Sequence, residues 1–148
     1  MAGLVGRALG ARGQARPGRP CCSACSSVPV SFQRINFTPD EDKELEAAAA
    51  RWNFLIKQEH RIDFNNGKWK VIKGQTPHNI SNGETQSGER TVWIRPKDGV
   101  TVYQIALHEF GHALGLGHVS KGVMNPFAID VEFSTEDVAE CKSKGICK

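Results

Sequence analysis

Val30, Phe32, Ile35 and Phe37 stand among polar neighbours, and this partial alternation predicts a first strand over residues 28–37. The period then changes. Leu45, Ala48, Trp52, Leu55 and Ile56 recur at helical spacing and predict a helix that runs to about Lys57. Its start is marked by Thr38-Pro39-Asp40-Glu41. Thr38 can cap, Pro39 suits the first helical position and Glu41 completes a capping box. Arg61–Phe64 and Trp69–Ile72 flank Asn65-Asn66-Gly67, which reads locally as a hairpin. Residues 74–88 are polar and turn-rich and read as a loop. Val92, Trp93 and Ile94 form a short strand within 91–95. Val102, Ile105, Ala106, Phe110, Ala113 and Leu114 give one apolar face of a helix over Gly99–Leu116, whose other face carries His108 and His112. Ser134-Thr135-Glu136-Asp137 opens a last helix with a cap and an acidic first turn.

A chain of 148 residues suits one domain with one core. Its charge is unevenly spread. Residues 1–39 hold five arginines and no acidic residue, which leaves 14 basic against 16 acidic residues over 40–148. The net charge of +3 therefore belongs to the amino-terminal segment and argues for no nucleic-acid partner of the folded part. Met1–Pro20 is rich in Gly, Ala, Arg and Pro, a composition that does not build a core. Arg7, Arg12, Arg16 and Arg19 interrupt every apolar run that a secretory signal would need. No stretch is long and apolar enough to span a membrane. Residues 1–27 thus read as a disordered, targeting or pro-segment, and 28–148 as the folded domain.

Five cysteines leave at least one unpaired within the chain. Gly145 can cap the last helix and fold Cys147 back toward Cys141. Both a disulfide and two free thiols fit that spacing. Cys21, Cys22 and Cys25 lack a second pair that would complete a metal site. His60 and His78 read as ordinary surface residues.

The most specific chemistry lies in His108-Glu109-Phe110-Gly111-His112-Ala113-Leu114-Gly115-Leu116-Gly117-His118. Two histidines four apart share one helix face, so both can reach one metal ion. Gly115 permits a sharp turn that brings His118 back as a third ligand. Three ligands leave a fourth zinc position open, as catalytic sites do and structural ones do not. Glu109 is then the natural general base toward water. The bland alternative is a helix with surface histidines and a core glycine. A chance match to the five required residues is on the order of a few in 10⁵ for this composition.

The motif resembles that of the metzincin zinc metallopeptidases, and within them the matrixins, the family of the matrix metalloproteases and their short bacterial relatives. Gly122-Val123-Met124-Asn125-Pro126 is similar to the Met-turn, in which Met124 packs beneath the metal and Pro126 completes the turn. Residues 31–40 and 133–138 resemble the entry strand and the last helix. The likeness implies a mixed α/β (α+β) catalytic domain. Its twisted, mostly parallel sheet has an antiparallel edge strand, a backing helix and an active-site helix, and a small carboxy-terminal subdomain carries one helix. The likeness would also place the second and third strands apart, against the local hairpin reading of 61–72. It also implies catalytic zinc on His108, His112 and His118, catalysis by Glu109 and hydrolysis of a polypeptide substrate by a secreted or extracellular monomer. The specificity pocket would be lined by 125–133. The strand at 91–95 is a candidate substrate-binding edge or an internal strand.

This chain also departs from the family. The gap between His118 and Met124 is short, and Asn125 replaces a frequent aromatic residue. Between Asp63 and Tyr103 there is no counterpart of the vertebrate calcium- and structural-zinc-binding loop, which leaves calcium open. Matrixin zymogens place a propeptide cysteine on the zinc, and Arg19-Pro20-Cys21 is only faintly similar to that pattern. The rival function is a catalytically silent or latent zinc-stabilised protein-binding module, for which Glu109 would have no use.

Overall fold

The computed structural model describes residues 29–148 except Ile80 and Ala128. What was expected of residues 1–28, including Cys21, Cys22 and Cys25, lies outside the described residues. Five strands build one sheet: β1 (Val30–Ile35), β2 (Ile62–Asp63), β3 (Trp69–Lys73), β4 (Gly83–Gln86) and β5 (Thr91–Ile94). Their order is β2-β1-β3-β5-β4, parallel throughout except for β4, which runs antiparallel at the edge. Three helices accompany them: α1 (Pro39–Leu55), α2 (Val102–Ala113) and α3 (Thr135–Ser143). This is the mixed, mostly parallel architecture expected.

Each helix starts where its cap dictates. At α1 the Thr38 hydroxyl accepts from the Glu41 amide (3.2 Å), and the Glu41 carboxylate accepts from the Thr38 amide (2.9 Å). Thr101 with Gln104 and Ser134 with Asp137 repeat the device at α2 and α3. The apolar stripe of α1 buries Leu45, Ala48, Ala49 and Trp52. Trp52 is the joint between the helices, because its indole N–H donates to the Leu107 carbonyl of α2 at 2.7 Å. Phe32 joins sheet to helix by stacking on Phe110 at 4.8 Å between ring centres. One core therefore holds the back of α2 and turns its other face outward.

Three expectations need correction, and the choice left open for 91–95 is decided. Residues 61–64 and 69–72 do not pair as a hairpin, because β2 and β3 lie on opposite sides of β1. Asp63 aligns with Ser31, and Trp69 aligns with the next residue, Phe32. The chain therefore steps sideways over β1 and continues in the same direction instead of reversing. Asn66, with φ +57°, makes the turn, and Gly67 passes so close to Ser31 that a side chain there would collide. The loop expected at 74–88 contains the edge strand β4. Consequently the strand at 91–95 is internal, with β3 on one side and β5's other neighbour, β4, outside it. Finally, His60 is buried at 8% exposure, whereas His78 is exposed and pairs with Glu84.

Cys141 and Cys147 form a disulfide, which decides between the two readings of their spacing. Gly145 at φ +74° makes the return. The tail then bonds back to the end of α1: the Lys57 amide donates to the Ile146 carbonyl (2.9 Å) and the Lys148 amide to that of Leu55 (3.0 Å).

Candidate metal centre

Helix α2 has a buried face and a cleft face. Ile105, Ala106, Phe110 and Ala113 hold the first in the core, which leaves His108 and His112 one turn apart on the second. After Ala113 the helix ends at Gly115, whose φ of +104° is costly for any residue with a side chain. The chain doubles back there, and the His118 ring arrives beside the other two. The Nε2 of His112 lies 3.2 Å from that of His108 and 3.1 Å from that of His118. All three ligand atoms lie within 4.8 Å of one another.

The other ring nitrogens explain why Nε2 faces inward. Nδ1 of His108 is 2.6 Å from the Val123 carbonyl, and Nδ1 of His112 is 2.8 Å from the Leu116 carbonyl. A carbonyl can only accept, so each Nδ1 carries the proton and each Nε2 keeps its lone pair for a metal. Burial pushes His108 down to about 4, against the bond to Val123 and helped by the neighbouring imidazoles. His112 is also lowered, chiefly by burial. Two neutral imidazoles converging with a third form a donor set that fits zinc, and no fourth protein ligand joins the cluster among the described residues.

Beneath the histidines lies the segment after His118. Met124 is fully buried, and Gly111 is a glycine because a Cβ there would strike the Met124 sulfur and the Trp52 ring (2.9 Å). The start of α3 holds this turn in place. The buried Asp137 carboxylate accepts from the amides of Val123 (2.8 Å), Met124 (2.9 Å) and Ser134 (2.8 Å). Three backbone donors on one carboxylate lock the carbonyl of Val123 where His108 needs it. Sequence reasoning assigned Asp137 only to the helix cap.

Glu109 sits beside the histidines at 6% exposure. Thr85 of the edge strand donates its hydroxyl to Glu109 Oε1 at 2.7 Å. A side chain at Gly83 would collide with the Glu109 carboxylate (2.8 Å) and with Ile105 (2.6 Å), so β4 approaches α2 only because residue 83 is glycine. Burial pushes Glu109 up to about 7; Thr85 opposes this and the charge of Glu84 adds to it. A carboxyl poised near neutrality can both take and return a proton. Thr85 and Gly83 were missed in the sequence because neither is a metal or acid-base residue.

Around these groups runs an open cleft of about 670 Å³, lined by β4, by the three histidines and Glu109, and by Asn125, Pro126 and Ile129. Three residues of the expected 125–133 pocket thus border the cleft, whereas Phe127 points into solvent at 94% exposure.

The matrixin family profile matches residues 25–144. Human matrix metalloproteinase-25 is 42% identical over 55 residues, covering 34% of this chain and 10% of that protein. Human matrix metalloproteinase-20 is 29% identical over 98 residues, covering 63% of this chain and 18% of that protein. The chain thus spans less than a fifth of the length of either relative. The high choriolytic enzyme 1 of Oryzias latipes, a hatching enzyme zinc-protease, superposes with a TM-score of 0.51 at 13% identity. That alignment covers 76% of this chain and 87% of the other and shows a shared fold.

Proposed function

Because the chain belongs to the matrixin family of metalloproteases, we propose that it is a zinc-dependent endopeptidase whose active site is His108, His112, His118 and Glu109. The observation that carries this reading is the meeting of three Nε2 atoms beside one buried carboxylate. Zinc on these histidines would supply Lewis-acid chemistry, activating water toward attack and polarising the scissile carbonyl.

The rest falls to the chain. Glu109 takes the proton of the attacking water and passes it to the leaving amine. Thr85 holds Oε1 of that carboxylate and so orients it toward the cleft. The edge of β4 has β5 on one side only. An extended polypeptide adds there as a further strand, bringing its backbone across the three histidines. Met124 and Pro126 shape the floor without ligating, and Asn125 and Ile129 face the side chain next to the scissile bond. Residues 28–148 are the catalytic domain. It acts as a monomer on polypeptides outside the cell, in keeping with a disulfide that needs an oxidising compartment. No helix among the described residues is long and apolar enough to cross a membrane.

The competing reading is a zinc-stabilised module without turnover. Buried Glu109 weighs against it, because a purely structural zinc site has no use for a carboxyl held beside its ligands. Digestion of a diverse peptide pool by the full chain, with and without chelator, tests the proposal. Chelator-sensitive cleavage is expected, and zinc binding with no cleavage at all would move the assignment to the binding module.

A further inference from the structure

A second cavity, of about 610 Å³, lies on the other side of the Gly115 turn from the cleft. It opens at the starts of β1 and β3, and its walls are the ends of α2 and of the carboxy-terminal tail. Val30, Trp69, Ala113, Leu114 and Ile146 make it mostly apolar. Lys68, Arg90 and Lys144 line it as well and are exposed at its rim, and no acidic residue lines it among those described. Of the three cations only Lys144 has an ion-pair partner among the described residues, Glu140 at 3.7 Å. His60, only 8% exposed, also lines it.

We propose that this cavity binds an amphipathic carboxylate, a ligand with an apolar chain and a single anionic head. The volume falls within the range of small-molecule sites. The apolar chain packs on Trp69, Leu114 and Ile146, and the head faces the three rim cations. The competing occupant is the chain's own amino-terminal segment, which enters the fold beside the cavity at Pro29. Charge disfavours residues 1–19 of it, because Arg7, Arg12, Arg16 and Arg19 would meet a basic rim without one acidic residue to offset them. The site is independent of peptidase activity. It nevertheless backs the Gly115 turn that delivers His118.

Calorimetry on the full chain with decanoate below its micelle concentration tests this, with decanol and decyltrimethylammonium as the neutral and cationic counterparts. One site is expected, with decanoate bound at least tenfold more tightly than either counterpart. The double variant Lys68→Glu/Lys144→Glu, both exposed positions, should weaken decanoate at least tenfold with an unchanged circular dichroism spectrum. In NMR spectra, Trp69 and Leu114 should shift on titration. Equal affinity for all three probes, or no binding, would overturn the proposal. So would nuclear Overhauser contacts between residues 1–27 and Trp69 or Leu114 in the free protein, which would identify the chain itself as the occupant.

Discussion

The two walls of the cleft are built on different principles. On the α2 side, the three ligand positions are set mainly by chain-local geometry. A four-residue spacing aligns His108 with His112, one positive-φ glycine returns His118, and the Leu116 carbonyl fixes the His112 ring; only the Val123 carbonyl that fixes His108 comes from farther along the chain. On the β4 side, the contact with Glu109 is long-range. Gly83 and Thr85 reach Glu109 only because β5 has already paired with β3 and carries β4 to the edge of the sheet. The metal wall is a property of a motif, and the substrate wall is a property of the assembled fold. Damage to the first should abolish metal binding, whereas damage to the second should slow turnover with the metal still in place.

His112→Ala should have the largest effect. It removes the central nitrogen of the cluster, so zinc stoichiometry by mass spectrometry should fall to near zero and peptide cleavage to background. Next is Cys141→Ser, which opens the disulfide behind α3. A loop this short is worth about 2 kcal/mol of stability, read from denaturant midpoints at constant m. Because Asp137 on α3 holds the Met-turn, zinc retention should weaken along with stability. Thr85→Val keeps the shape and removes one hydroxyl. It should lower kcat about tenfold, a barrier change of about 1.4 kcal/mol, with zinc affinity unchanged and Thr85→Ser restoring the rate. If Thr85→Val lost zinc instead, the two walls would not be separable.

The smallest effect lies far from the cleft. The bond from Lys73 and the cap at Thr38 hold the Glu41 carboxyl below its usual 4.5. A depressed carboxylate stabilises the fold at pH values above its unfolded pKa, and that contribution is lost as pH falls through the folded value. Lys73→Met should therefore cost under about 1 kcal/mol at pH 7, shrinking toward zero below pH 4. Catalysis should be untouched.

The same contrast explains what the sequence revealed. The three histidines and Glu109 were legible, since helix spacing and a glycine turn are short-range rules, whereas the hold of Asp137 on the Met-turn was not. The edge strand was not. Gly83-Glu84-Thr85-Gln86 has no apolar alternation, and its burial is only partial along its whole length. It is a strand because of its partner rather than its pattern. The supposed hairpin failed for a related reason. Asn65-Asn66-Gly67 does turn the chain, but β1 lies between the flanking strands and takes both as partners. Thr101-Val102-Tyr103-Gln104 was legible in principle, since Thr followed three residues later by Gln is a capping-box signature. His60 had no such signal, because it ends a short polar turn, Gln58–His60, with no periodicity to mark a buried position.

The central claim is that the histidines bind zinc while Glu109 moves the proton. Glu109→Gln keeps the size and burial of the side chain and removes the base. At equal zinc occupancy, steady-state cleavage of one peptide identified from the pool should fall by about 10²–10⁴-fold, with one zinc per chain retained. Undiminished cleavage by the zinc-loaded variant would contradict the account.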